Sequence, residues 1–292
     1  MLDLKGHASG EAIACRSPAA ADYPGFLRDL AHPPQSLYSI GTMSALSGPR
    51  ASVVGTRIPS AYGLRITRAL CAAFARADVC VVSGMARGID AEAHRSMLGA
   101  GGKTVAVLGT GIDVAYPASH RGLHQAIGAS GLLISENAPG ASAHKGAFPK
   151  RNRIIAALAP LTIVIEAGHR SGALNTAAHA LDLGRVVAAV PGPIDSPQSE
   201  GTNQLLRDGA AVIASIDDAL ALAGVAAPAR SAPMQLEGDE ERVWSALGAG
   251  PLAMDHLSAK AGLPARQCLV TVTSLELMGM VECLVTGEVR RR

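Results

Sequence analysis

Short apolar stretches that end in small-residue loops alternate along this chain with segments whose apolar residues recur every three or four positions. Ala51–Val54 ends in Gly55-Thr56-Arg57, and Val81-Val82 leads into Ser83-Gly84-Met85-Ala86-Arg87-Gly88-Ile89-Asp90. Thr104–Leu108 ends in Gly109-Thr110-Gly111, Thr162–Ile165 in Glu166-Ala167-Gly168-His169-Arg170-Ser171-Gly172, and Val186–Val190 in Pro191-Gly192. Between them, after Pro59, Ser60 is a predicted N-cap for a helix whose Ile66, Leu70, Ala73 and Phe74 share one face. Short apolar strands alternating with helices predict an α/β fold built on a parallel sheet covered on both faces. Ligands of such sheets bind outside the carboxyl ends of the strands. Gly55, Arg57, Ser83, Arg87, Gly109, Gly111, Arg170 and Ser171 fall at that rim.

The Ser83–Asp90 stretch carries the strongest chemical signal. It is a strand running into a turn with one arginine that opens a helix, where free backbone N–H groups and the helix dipole favour anions. Glycines admit close approach to the backbone, and Arg87 can fork onto phosphate oxygens. The spacing is not that of a dinucleotide enzyme: Gly55-Thr56-Arg57-Ile58-Pro59-Ser60 has one glycine where the G-x-G-x-x-G fingerprint has three. Gly99-Ala100-Gly101-Gly102 precedes a strand and reads as a helix stop, and no G-x-x-x-x-G-K-[ST] loop occurs.

A second basic cluster, Phe148-Pro149-Lys150-Arg151-Asn152-Arg153, leads into the apolar Ile154–Leu158. Proline suits a helix start, but three cations in a first turn oppose the macrodipole, which favours a polyanion over a solvated face. For Phe148 two readings stay open, a staple packed on the helix or a platform for a base.

Composition narrows these possibilities. With 292 residues and 48% hydrophobic residues the chain suffices for one large and one small domain. A net charge of +2 is mild, so polyanion affinity must come from a local rim formed by Arg57, Arg87, Lys145, Lys150, Arg151, Arg153 and Arg170. Aromatics make up 3%, which rules out an extended stacking platform and predicts phosphate-dominated, sequence-tolerant binding. No apolar stretch approaches the ~18 residues of a membrane span, and the N-terminus lacks a signal layout, so a cytoplasmic location is expected. Cys15, Cys71, Cys80, Cys268 and Cys283 show no C-x-x-C spacing and read as small hydrophobes and reduced thiols. His120 and His124 have metal-ligand spacing without a third ligand, and read as a solvated helix face. Glu166 lacks an assignable base or nucleophile partner and reads as structural or ligand-orienting, and Asp90 reads as a helix cap. Ser83 and Ser171 lack a G-x-S-x-G elbow. No catalytic residue, metal site or cofactor is expected.

Taken in order, Ser83–Asp90, Thr104–Gly111 with Tyr116-Pro117, Phe148–Ile155, Ser171–Ala177 and Val190–Ser196 resemble the DprA/Smf family of DNA-processing proteins, from about Asp22-Tyr23-Pro24 to the end of the chain. The resemblance implies an extended Rossmann-like, doubly wound, mostly parallel sheet. It implies a homodimer that binds single-stranded DNA, protects incoming strands and hands them to the RecA recombinase in natural transformation, without catalysis of its own. The family's arginine of a Gly-Ser-Arg turn falls on Arg57, beside Gly55, with Thr56 in place of serine. Its Ser-Gly-x-Ala-Arg-Gly-Ile-Asp motif falls on Ser83, Gly84, Ala86, Arg87, Gly88, Ile89 and Asp90. Its Phe-Pro-x-Arg-Asn-Arg motif falls on Phe148, Pro149, Arg151, Asn152 and Arg153, with Lys150 an added cation. Its Ser-Gly-x-Leu-x-Thr-Ala motif falls on Ser171, Gly172, Leu174, Thr176 and Ala177. Asn137 stands where the family more often has Tyr, which removes an aromatic from the rim.

The expected organisation is a disordered lead-in over residues 1–21, a Rossmann-like domain over 22–224, a linker rich in Ala and Pro over 225–236, and a small C-terminal domain over 237–292. In the last of these, Glu240–Leu247, Ala253–Ala261 and Ala265–Met278 give three helices and Met280–Val289 a hairpin, an arrangement that resembles a winged helix. Its third helix offers only Arg266 for DNA, so a partner-binding or weak duplex-binding appendage is expected. Arg290-Arg291-Arg292 reads as a phosphate-contacting tail or a solvated terminus. The competing functional reading is a nucleoside-monophosphate phosphoribohydrolase of related fold. Those enzymes carry a Pro-Gly-Gly-x-Gly-Thr loop before a catalytic glutamate, where this chain has Glu166–Gly172.

Overall fold

The computed structural model describes residues 12–225, 236–248, 250–284 and 286–291. The chain divides near residue 228 into two compact units.

In the first unit the strands are β1 (Ala14–Arg16), β2 (Leu37–Gly41), β3 (Arg50–Val54), β4 (Cys80–Ser83), β5 (Thr104–Leu108), β6 (Leu132–Ser135), β7 (Leu161–Val164), β8 (Val186–Ala189) and β9 (Ala211–Val212). Helices α1 (Ala61–Arg76), α2 (Ile89–Gly99), α3 (Arg121–Ser130), α4 (Ala147–Leu158), α5 (Gly172–Asp182), α6 (Glu200–Arg207) and α7 (Ile216–Leu222) connect or follow them. Among the described residues the strands form one nine-stranded sheet in the order β1-β2-β6-β5-β4-β3-β7-β8-β9. It is parallel from β6 to β9, while β1 and β2 run antiparallel at one edge.

The central strands are apolar on both faces because both are covered. Val54, Val82, Val105, Val107 and Val164 pack against Ile154, Ile155 and Ala177 of α4 and α5. Val53, Val81 and Ile163 pack against Leu70, Phe74, Met97 and Leu220 of α1, α2 and α7. The predicted cap of α1 forms, with Ser60 Oγ accepting from the Gly63 N–H at 3.1 Å. From β3 the chain winds through β4 and β5 to β6, then returns through α4 to β7 on the other side of β3. This reversal opens a crevice at the carboxyl ends of β3 and β7, the place where doubly wound sheets take ligands.

The unstructured lead-in expected through Ala21 needs correction. Ala14–Arg16 is the edge strand β1, paired with Leu37–Ser39, and Arg16 bonds Asp22 and Ser39, both at 2.6 Å. The rest of that expectation, residues 1–11, lies outside the described residues, as does most of the expected linker.

The second unit contains α8 (Asp239–Leu247), β10 (Leu252–Ala253), α9 (Met254–Ala261), α10 (Ala265–Leu277), β11 (Val281–Cys283) and β12 (Glu288–Arg291). Its strands form an antiparallel sheet in the order β10-β12-β11. Val243, Leu247, Leu257, Val272, Leu275, Val281 and Val289 fill its core. The exposed side of α10 presents Leu269, Val270 and Leu277, not a basic stripe. Of the basic end, Arg290 pairs with Glu282 at 2.7 Å and Arg291 lies over the Trp244 ring at 4.4 Å, while Arg292 lies outside the described residues.

Candidate nucleic-acid interface

The rim begins with the loop after β3, which is clamped from below. Thr56 N–H donates to the Glu166 carbonyl at 2.7 Å, and the Thr56 carbonyl accepts from Ile89 N–H at 3.2 Å. Gly88 makes that approach possible. Its φ of +79° lies in the left-handed region, and a Cβ there would collide with the Thr56 carbonyl oxygen. With its backbone fixed in this way, Arg57 extends outward, exposed, with its guanidinium 5.9 Å from the Phe148 ring centroid.

The turn after β4 is held from within. Met85 adopts φ 55°, costly for a side chain of its size. It is retained because the side chain is fully buried and His120 Nδ1 donates to its carbonyl at 3.0 Å. Asp90 accepts from Gly84 N–H at 3.2 Å and Ala86 N–H at 3.4 Å, tying the turn to the first turn of α2. Arg87 stands exposed on this scaffold. Ser83, placed among the binding residues by the sequence, is wholly buried, and its hydroxyl donates to the Val53 carbonyl at 2.7 Å. Its role is to join β4 to β3.

The basic cluster on α4 splits three ways, which corrects its reading as one gripping surface. Arg151 points inward and is 4% exposed. It donates to the Gly84 carbonyl at 2.6 Å and to the Val107 carbonyl. Burial lowers its pKa to about 10, opposed by the nearby Asp90 carboxylate. The same burial raises the pKa of Asp90, opposed by Arg151. The two charges therefore compensate each other behind the rim. Arg153 turns to Glu136 at 2.5 Å and to the His32 carbonyl at 3.0 Å. Lys150 is exposed but also reaches Glu136, at 3.2 Å. The unfavourable charge at the start of α4 is thus answered by carboxylates of the protein itself. Asn152 Nδ2 donates to the Gly172 carbonyl at 3.2 Å and to Asn175 Oδ1 at 3.1 Å, fixing α4 against α5.

From the β7 side, Ser171 caps α5 by accepting from Ala173 N–H at 3.3 Å. Arg170 is exposed, and Thr176 faces the crevice from one turn inside the helix. Glu166 is committed elsewhere: its carboxylate accepts from Ser60 N–H at 2.9 Å and from the Ser60 hydroxyl. That geometry fits the structural reading. His120 and His124 depart from theirs, since both are buried and donate to backbone carbonyls, not to solvent.

Two adjoining cavities result. The larger, about 550 Å³, is lined by Gly55, Thr56, Arg57, Phe148, Arg151, Asn152, Ser171, Gly172 and Thr176 among others. The smaller, about 380 Å³, shares Arg57, Phe148 and Arg151 and adds Gly84 and Arg87. Both lie within the usual size of small-ligand clefts. Ser83, Gly88, Lys150 and Arg153 line neither cavity. Among the described residues, neither Arg87 nor Arg170 has a hydrogen bond or ion pair to the protein, which leaves both available to an anion. The sequence missed Asn175, His169 and Ile58 as lining residues. Asn175 lies inside the Ser171–Ala177 motif and His169 inside the Glu166–Gly172 loop that ends β7, so the place of each at the strand ends offered a signal. No helix among the described residues is long and apolar enough to cross a membrane.

Comparisons with known proteins agree with this architecture. The chain is 42% identical over 266 residues to a Mycobacterium tuberculosis protein described as a putative DNA processing protein DprA, spanning 88% of this chain and 68% of that protein. It is 34% identical to Escherichia coli Smf, spanning 94% and 74%. The crystal structure of DNA processing protein A from Streptococcus pneumoniae superposes with a TM-score of 0.68 at 39% identity, over 72% of this chain and 74% of that one. DNA processing protein A from Helicobacter pylori, whose structure is described for its single-stranded DNA binding mode, gives a TM-score of 0.67 at 28% identity, over 73% and 96%. Residues 227–285 match the DprA winged helix domain, and residues 15–224 match the DNA recombination-mediator protein A family, to which this chain belongs.

Proposed function

We propose that this chain binds single-stranded DNA at the β3–β7 crevice and delivers it to the RecA recombinase, as a homodimer in the cytoplasm and without catalysing a reaction on the strand. The observation that carries the reading is the concentration, around the Phe148 ring at the strand ends, of the guanidinium groups of Arg57, Arg87 and Arg170, which among the described residues have no hydrogen bond or ion pair to the protein. Flexible cations with open N–H groups match phosphates spaced along a backbone, and the ring of Phe148 offers any base a π-face. The single-stranded DNA binding described for the Helicobacter pylori relative points the same way.

A glutamate-dependent nucleotide hydrolase is less well supported. The one buried carboxylate at the end of β7, Glu166, is held by Ser60, and Asp90 is folded against its own turn. Dimerisation has a surface to use: Leu181, Val186 and Val212 are 58%, 45% and 54% exposed at the β8–β9 end of the sheet, a concentration of apolar area that favours a partner. The recombinase step is tested by an order-of-addition assay. RecA ATPase is followed on a strand already covered by single-strand-binding protein, with and without this chain. The reading predicts that the lag before ATP hydrolysis shortens, and an unchanged lag contradicts the mediator role.

A further inference from the structure

We infer that the smaller cavity is a second base-binding subsite, in which Tyr116 stacks on the nucleotide next to the one held in the larger cavity. This deepens the single-strand reading above and rests on it.

Tyr116 lies in the loop between β5 and α3, outside the motifs that carry the phosphate-type donors. Its ring centroid is 5.0 Å from that of Phe148, with the planes inclined at 35°. The chain has only four Tyr, three Phe and one Trp, so two aromatic rings meeting at this rim concentrate a scarce resource. A packing role would bury the pair, yet Tyr116 is 46% exposed. Two of the other three tyrosines use their hydroxyls, Tyr23 donating to the Pro34 carbonyl and Tyr62 to the Pro191 carbonyl, each at 3.1 Å, while the Tyr38 ring packs against a core cluster. Tyr116 has no such bond among the described residues. An amphipathic ring with open area and a free hydroxyl is the kind of group interfaces use.

The charge pattern fits a nucleotide there. Among the described residues the smaller cavity is lined by no carboxylate and by the guanidinium groups of Arg57 and Arg87, while Arg151 at its wall is already spent on the Gly84 and Val107 carbonyls. Arg57 and Phe148 form the wall common to both cavities. A strand that places one base in each cavity therefore carries the intervening phosphate past the Arg57 guanidinium, while Arg87 is positioned for the phosphate on the far side. Because every base has a π-face, such a subsite adds affinity without sequence preference.

The test uses the full chain and a labelled oligothymidine, followed by anisotropy over a range of salt, with Tyr116→Ala, Tyr116→Phe and Arg57→Ala beside the wild type. Removing one base stack is expected to weaken binding about 5- to 100-fold. Tyr116→Phe should retain wild-type affinity within about twofold, since the ring supplies the stack. Tyr116→Ala should leave the slope of affinity against salt unchanged because the phosphate contacts remain, whereas Arg57→Ala should reduce it. Binding by Tyr116→Ala within about twofold of wild type overturns the inference. So does an equal loss in Tyr116→Phe, or a salt slope that falls in Tyr116→Ala as it does in Arg57→Ala. A wild type that does not bind the strand overturns the single-strand reading itself and the inference with it.

Discussion

The guanidinium of Arg151 donates to the carbonyl of Gly84 at 2.6 Å, and a Cβ on Gly84 would stand only 2.6 Å from Nη2 of that same guanidinium. A cation from the start of α4 thus supports, from beneath, the turn that presents Arg87. Of the arginines at the crevice, Arg151 shapes the site while Arg57, Arg87 and Arg170 remain open to a ligand.

Arg151→Met should therefore act on stability. It leaves two carbonyls and the buried Asp90 carboxylate without their cation, an arrangement that costs about 3–5 kcal/mol. Arg57→Ala, at an exposed site, should change stability by less than about 0.5 kcal/mol. Urea unfolding of both variants checks the contrast. Equal stabilities would mean that Arg151 is not a strut.

Glu136 restrains the other two cations of α4, accepting from Arg153 at 2.5 Å and Lys150 at 3.2 Å. Glu136→Gln should release Lys150, whose side chain is already 61% exposed. Single-strand affinity should rise at low salt, with the salt slope steeper by up to about 0.7 per cation freed. An affinity and slope identical to wild type would place Lys150 outside the path of the strand.

Ser60 links the start of α1 to the end of β7, capping the helix through Gly63 N–H and donating to the Glu166 carboxylate. Ser60→Ala should lose about 1–3 kcal/mol, the sum of a lost cap and an under-satisfied buried carboxylate. The expected signature is a lower thermal midpoint with the salt dependence of binding retained.

His94 makes stability depend on pH. Thr104 Oγ1 donates to the Val81 carbonyl at 3.1 Å, so toward His94 it accepts, from Nδ1–H at 2.7 Å. Among the described residues Nε2 is left buried without a partner. Burial, reinforced by the nearby Arg151, lowers the pKa of His94 to about 3, from 6.5 in an unfolded chain. Between those values the unfolded chain holds a proton that the fold does not. The stabilisation is therefore complete above pH 6.5 and lost as the pH falls toward 3, by about 1.4 kcal/mol per pH unit from this group. Chemical denaturation from pH 7 to 5 should show the decline, and His94→Gln should flatten it.

Much of this arrangement is legible in the sequence because it is local. Strand, small-residue loop and helix follow one another within a few residues at Arg57, Arg87 and Ser171, and the period of Ile66, Leu70, Ala73 and Phe74 shows which face of α1 packs on the sheet. What is not legible depends on distant partners. Lys150, Arg151 and Arg153 look alike as neighbours in sequence, yet successive helix positions point about 100° apart, and Glu136, His32 and Gly84 decide where each one ends. His120 and His124 have the spacing of a solvated face, and only the carbonyls of Met85 and Ile112 reveal them as interior donors. The edge strand Ala14–Arg16 is too short to show an alternation of its own and is defined by its pairing with β2. Tyr116 and Phe148 are 32 positions apart in the chain and become a pair only when β5 and α4 converge.

The central claim, that an exposed arginine at the carboxyl end of β3 grips the phosphates of a single strand, is tested most directly by comparing wild type and Arg57→Ala on a labelled oligothymidine at two salt concentrations. The account predicts wild-type binding that weakens by about 0.7 log units per log unit of salt for each phosphate held. Arg57→Ala should bind at least about tenfold more weakly, consistent with the ~1.5–3 kcal/mol of a charged hydrogen bond, with a shallower slope and an unchanged thermal midpoint. Wild-type affinity and slope in Arg57→Ala would contradict it.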